Sequence, residues 1–192
     1  MSSKYFTLLP TVDYNVFDSR VNQTQKLTNI LVRNKIRQDV LDNANLYYPY
    51  YVEENERPDI VSYNYYGDTK YTWIIFFGNE IIDPYFQWPL DTQQFEKFII
   101  NKYGSIESAK TTTHHYERIM RTATSTAPEY VIEISEDYYN TSEASRIIPT
   151  DQKREVSNFD YELTQNNNKR KINLIADDYV NQIFEDARRA FA

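Results

Sequence analysis

The sequence predicts an α+β fold built around a small strand–helix–helix–strand core. Three observations carry that prediction. Helical stretches are sharply punctuated: Pro58 to Gly67, Asp68 to Gly78, and Asp91 to Gly104 each run from a residue that suits a helix start to a glycine that suits its end. Short β-prone runs accompany them, LYYPYYV at 46–52, EYVIEI at 129–134 and KINLI at 171–175. Finally, 41% of the 192 residues are apolar, enough for one ordinary domain or two small ones.

Residues 1–20 read as an extended N-terminal segment with Tyr5, Phe6, Leu8 and Leu9 before Pro10. In 24–41, Leu27, Ile30 and Leu31 are helix-spaced, whereas Ile36 and Val40 leave the period ambiguous. Pro49 inside the first β-prone run marks an edge strand or extended segment. Pro58 then opens a helix carrying Ile60, Val61, Asn64 and Tyr65. Asp68 caps a second helix with Trp73, Ile74 and Phe77 on one side, ended by Gly78. Asp83-Pro84 forces a turn and a short strand follows. Asp91 with Gln94 is a capping pattern for a helix bearing Phe95, Phe98, Ile99 and Tyr103.

Beyond Gly104, a strand is expected around HHYERIMR and a second at 129–134, followed by a polar, weakly periodic excursion over 136–168. A short strand at 171–175 and a helix capped by Asp177 complete the chain. That last helix puts Val180, Ile183, Phe184, Ala187 and Phe191 on one stripe, with Arg188 and Arg189 at the end that favours positive charge. The expected segments are 1–45, extended and helical; 46–104, core plus following helix; 105–168, a strand-containing arm; and 169–192, strand and helix.

Composition excludes several functions. A net charge of −7 argues against nucleic acid, whose phosphates call for a basic face. No cysteine means no disulfide and no thiolate chemistry. The N-terminus lacks a signal-peptide core, and the apolar run at 73–77 is too short to span a bilayer. With three glycines in all, and no P-loop or dinucleotide pattern, phosphate-cradling loops are not expected. His114-His115 is the only histidine pair; neighbours on a strand point to opposite faces, so no shared metal is expected. Glu53, Glu54 and Glu56 read as acids favouring a helix N-terminus rather than a glycosidase pair, and 169–171 as a solvated charge run. No catalytic residue, metal or cofactor is predicted. What stands out is 18 tyrosines and 10 phenylalanines, an excess of contact-forming side chains. Trp73, Ile74 and Phe77 have core spacing, whereas Tyr85, Phe86 and Trp88 follow a turn and are candidates for an exposed patch.

The stretch YYVEENERPDIVSYNYYGDTKYTWIIFFGNEIIDPYFQWPL resembles a LysM module, with Tyr50, Val52 and Asn79 at matching positions. It departs where Asn55-Glu56-Arg57-Pro58 replaces the usual Gly-Asp-Thr-Leu, so glycan binding is not expected. More widely, Tyr5-Phe6 with Leu9-Pro10, LTNILVR, RPDIVSYNYYGDTKYTWIIFFGNEIIDPYFQWPL and HHYE resemble the baseplate wedge protein family of contractile-tailed bacteriophages, over roughly residues 4–118. The resemblance implies a structural, non-enzymatic adaptor in the virion tail baseplate, assembled in the host cytoplasm. It would join neighbouring wedges into the ring around the hub by binding other wedge subunits and a sheath-initiator-like protein, with no membrane and no nucleic acid. Candidate partner-binding residues are Ile82, Asp83, Tyr85, Phe86 and Trp88, with Ile183, Phe184 and Phe191 of the last helix. That helix would either lie on a partner or dock on its own domain. The competing functions are a LysM-type peptidoglycan-binding module and a cell-wall hydrolase.

Overall fold

The computed structural model describes residues 5–15, 24–32, 44–141 and 152–191. In chain order the elements are strands β1 (Thr11–Asn15), β2 (Thr24–Thr28) and β3 (Tyr47–Tyr51), then helices α1 (Pro58–Tyr66), α2 (Thr72–Gly78), α3 (Pro84–Gln87), α4 (Thr92–Tyr103) and α5 (Ile106–Thr111). Strands β4 (Thr113–Arg121) and β5 (Tyr130–Ile134), helix α6 (Glu136–Asn140), strand β6 (Lys153–Ser157), helix α7 (Asn158–Lys169), strand β7 (Lys171–Ile175) and helix α8 (Val180–Phe191) follow. This mixture of helices and small antiparallel sheets is an α+β fold. The chain forms two compact units, one from residues 1–89 and 170–192, the other from 90–169.

In the first unit β3 pairs antiparallel with β7, and α1 and α2 supply the other side of the core. Val52, Val61, Ile74, Ile75 and Leu174 are almost fully buried, with Trp73, Tyr66, Trp88 and Ile172 around them. Ile60 is exposed while its neighbour Val61 is buried. Gly67 ends α1 in the left-handed conformation at φ 75°, and its N–H reaches the Tyr63 carbonyl. The Tyr66 hydroxyl donates to the Ile175 carbonyl at 2.9 Å, fastening α1 to β7. Asn79 does more. Its side chain accepts from Asn173 N at 2.7 Å and donates to Asn173 O at 2.8 Å, satisfying both backbone groups on the outer edge of β7. Since Asn173 faces Pro49 across the ladder and turns its polar groups outward, that pair is a non-hydrogen-bonded one. A proline there costs no ladder bond.

Several expected elements differ. The helix-spaced residues of 24–31 begin as strand β2, because Leu27 lies opposite Val12 in the β1–β2 ladder and three apolar residues alone do not nucleate a helix; Ile36 and Val40 lie outside the described residues. Asp68 caps a 3-10 turn at Thr69–Tyr71, which leads into α2. Gly78 does end α2, as its last residue, and a Cβ there would come within 3.2 Å of the Ile175 side chain, so glycine also allows helix and strand to approach. No strand follows Asp83-Pro84. That stretch is α3, and the strand closing against β3 comes from β7, after the second unit. Asp177 begins a 3-10 turn capped at Ala176 rather than capping α8. The α8 stripe docks on its own unit: Val180 is buried, and Ile183, Phe184 and Ala187 pack against the core.

The second unit sets α4, α5 and α7 around Phe95, Ile99 and Ala109, with Leu90, Tyr103, Ile106 and Phe159 packed against them. Phe98 is exposed, its ring tilted 35° to that of Phe95 with centroids 6.4 Å apart. Asp91 caps α4 through Gln94 N at 2.8 Å, and Ser105 caps α5 through Ser108 N at 3.0 Å. Strands β5, β4 and β6 form an antiparallel sheet with β4 central. Within the expected excursion over 136–168, the described residues are mostly regular structure, in α6, β6 and α7. Helix α7 lacks an apolar stripe because polar side chains occupy its inner face. Glu162 and Asn166, one turn apart, are both buried. Glu162 accepts from Lys102 at 2.6 Å and Tyr103 at 2.9 Å. Asn166 accepts from Leu90 N at 2.8 Å and donates to Leu90 O at 3.0 Å, tying the two ends of this unit together.

Candidate functional site

Among the described residues of the first unit, the segment around α3 holds the most exposed aromatic cluster. Ile82, Tyr85 and Phe86 are 71%, 81% and 68% exposed. Tyr85 and Phe86 meet edge to face with ring centroids 5.0 Å apart. Together they expose on the order of 400 Å² of side chain, within the range at which an apolar patch is often functional. The backbone beneath is fixed. Glu80 takes a left-handed φ of 54°, and Ile81 N returns to Phe76 O at 2.8 Å. The Gln87 side chain accepts from Ile82 N at 2.7 Å and Asp83 N at 2.8 Å, while Asp83 accepts from Tyr85 N at 3.0 Å. Every one of these bonds holds a turn that presents apolar side chains outward, so little ordering entropy remains to be lost on contact.

Trp88, expected beside Tyr85 and Phe86 on the surface, is instead 9% exposed. Its indole donates to the Glu56 carbonyl at 2.9 Å and its ring packs edge-on against Phe76. It is the anchor of the segment, not part of the patch. The same bond fastens the acidic turn at 53–56 beside α3. In that turn Glu56 accepts from the Tyr50 hydroxyl at 2.7 Å and from Glu53 N at 3.0 Å. Burial, and then the Glu56 carboxylate, push the Tyr50 phenol up to about 12. Glu54 pairs with the buried Arg170, which also donates to Val52 O. Of the last-helix residues, Ile183 and Phe184 are half-buried on the core; the Phe191 side chain lies outside the described residues.

Sequence reasoning gave no sign of a second surface, the β1–β2 ribbon. All ten of its strand residues are exposed. Its register puts Val12, Leu27, Tyr14 and Gln25 on one face and Asp13, Lys26 and the threonines on the other. The alternation was there in TVDYN and TQKLT, but the helix spacing of Leu27, Ile30 and Leu31 obscured it.

The histidines of the second unit behave unexpectedly. The β4–β6 register shifts between Thr113 and His115, and this bulge turns the two neighbouring rings toward one another. Their Nδ1 atoms lie 2.8 Å apart, so one must carry the proton the other accepts. His115 Nε2 faces Glu117 at 3.1 Å, and His114 stacks on Tyr161. Glu117 is further held by Arg154, which bridges to Glu129. Among the described residues no group of three or more His, Asp or Glu side chains could hold a metal ion.

The geometry is that of a chain with surfaces to be covered. The match that decides its kinship spans residues 5–189, nearly the whole chain, and is to the family described as base plate wedge protein 53. The chain belongs to that family. Its role is thus structural, in a phage baseplate, and its interactions are with other baseplate proteins. No curated protein matches the chain. The ribbon and the α3 patch of this wedge-family chain both lie within the matched region.

Proposed function

We propose that the protein joins neighbouring baseplate wedges into the ring around the tail hub, by contacts with other wedge subunits and a sheath-initiator-like protein. It acts without catalysis or cofactor, in the virion tail baseplate of a contractile phage, after assembly in the host cytoplasm. The observation that carries this reading is the β1–β2 ribbon. A two-stranded ribbon is marginal in water unless something covers it, yet Val12, Tyr14 and Leu27 are 45%, 58% and 40% exposed along one face. A neighbouring subunit laid on that face supplies the missing burial, about 1.5–3 kcal/mol for each large side chain fully covered.

The test is a Val12→Asp, Leu27→Asp chain supplied to a phage that lacks the protein. The variant should melt as the parent does, and single wedges should accumulate without rings. Normal rings would sink the proposal. A LysM-like glycan module is the second reading, favoured by the order β3, α1, α2 and β7 around one core. Against it stand Arg57, Pro58 and the acids at 53–56, which suit neutral sugar poorly. Calorimetry with chito-oligosaccharides should give no saturable heat.

A further inference from the structure

We infer that His114 and His115 form a proton-sharing pair that acts as an acid-sensitive latch between β4 and α7. The bulge in the β4–β6 register turns the two rings toward each other, with Nδ1 atoms 2.8 Å apart and ring planes at 86°. The centroids are 5.0 Å apart, close to the most that two imidazoles joined by such a contact allow, so the nitrogens point nearly head-on. That is the geometry of one N–H···N hydrogen bond, and it holds one hydrogen between the rings, never two.

Glu117 fixes which ring donates. His115 Nε2 lies 3.1 Å from the Glu117 carboxylate, an acceptor-only group that Arg154 also holds. His115 Nε2 therefore carries a hydrogen wherever Glu117 is ionised. With the pair neutral, His115 Nδ1 is a bare acceptor and His114 Nδ1–H is its donor, so the two neighbours take opposite tautomers. A first added proton enters at Nε2 of the exposed His114. The contact survives, because the bridging hydrogen leaves His114 Nδ1 for His115 Nδ1 and sets the charge beside Glu117. A second proton does not fit. It puts an N–H on each side of the contact and two like charges across it. Glu117 keeps His115 in place, so His114 is the ring that leaves. Its stack on Tyr161 of α7, with centroids 3.8 Å apart, goes with it.

The other groups around the pair are engaged elsewhere. From β6, Arg154 bridges Glu117 and Glu129, Glu155 bonds Thr113, and Lys153 lies over Tyr139 of α6. From β5, Glu133 stands opposite Glu117 in the ladder. Asp160 of α7 is bonded to Ser157, and Lys110 of α5 lies over Phe159. Among the described residues, only His115 and Tyr161 are bonded to or stacked on the His114 ring.

Imidazole is the side chain whose charge changes in mildly acidic solution, so the latch is tested by NMR of the full-length, nitrogen-15-labelled chain between about pH 8.5 and 4.5. At the alkaline end His114 should carry its hydrogen on Nδ1 and His115 on Nε2. The contact between the His114 ring and Tyr161 should persist with one added proton and vanish when both rings are fully protonated. Hydrogen-exchange protection at the first turn of α7 should then fall roughly tenfold. In His114→Gln, which cannot take up the proton, that fall should be absent, whereas Tyr161→Phe, which keeps the stack, should retain it. The Nε2–H tautomer on both rings at the alkaline end would overturn the inference. So would a His114–Tyr161 stack that survives full protonation of both rings, or the same fall in protection in His114→Gln. The latch stands or falls on these readings whether or not the chain joins wedges.

Discussion

The Asn166 clamp gives a prediction whose pH dependence has a fixed sign. Asn166 is 5% exposed and both accepts from Leu90 N and donates to Leu90 O. Asn166→Asp keeps the shape and the acceptor but replaces the donor with a second oxygen facing the Leu90 carbonyl. The lost bond, with a buried carbonyl left unpaired, costs about 1–3 kcal/mol. The carboxylate adds a desolvation cost unless it takes up a proton. Once protonated it can donate to Leu90 O and rebuild the clamp. The folded state therefore binds a proton more tightly than the unfolded state, so the variant loses stability as pH rises through the carboxylate range and beyond. In a unit of this size the neutral-pH deficit corresponds to about 5–20 °C in melting temperature. Urea melts of parent and variant at several pH values, with hydrogen exchange at the amides of α4 and α7, read it directly. A difference between the two that stays constant with pH would refute the donor-and-acceptor role assigned to Asn166.

Other expectations follow from the same geometry. Trp73→Ala should cost about 3–5 kcal/mol and largely unfold the first unit. Trp73→Phe should cost under about 2, because it also removes an indole N–H that finds no partner among the described residues; denaturant melts compare the two. Gly78→Val should overpack Ile175 and cost about 1–3 kcal/mol, most of it recovered when Ile175→Ala is added. Burial works against the Glu117 charge, but Arg154 and His115 outweigh it and hold the carboxyl below the usual range. The stability it contributes is complete above the ordinary carboxylate range and falls away as pH drops through its own lower value. Glu117→Gln should therefore flatten the acid limb of the melting profile.

Much of the fold was legible because its signals are local. Pro58 and Gly67, and Asp91 with Gly104, mark helix ends through backbone chemistry that no tertiary contact overrides. The 136–168 region was not legible, for the opposite reason. Its helix α7 buries Glu162 and Asn166, whose partners Lys102, Tyr103 and Leu90 lie some sixty to seventy-six residues away. A hydrophobic period cannot report a helix whose inner face is polar. The closing strand was misplaced for a related reason: Pro84 begins a turn of helix as readily as it ends a strand, and nothing local says that β3 awaits residues 171–175.

The surface was legible by composition but not by residue. Tyr85, Phe86 and Trp88 look alike in sequence, yet burial separates the indole from its neighbours: its ring packs on Phe76 within the core and its N–H donates to the Glu56 carbonyl. That bond brings the acidic turn to the aromatic one. Trp88→Phe would remove it while leaving Tyr85 and Phe86 in place, and so asks what the bond contributes. The lost bond leaves the Glu56 carbonyl without the indole donor and should cost about 1–2 kcal/mol in denaturant melts of the first unit. An unchanged melting midpoint would mean that Trp88 is held by its packing on Phe76 alone.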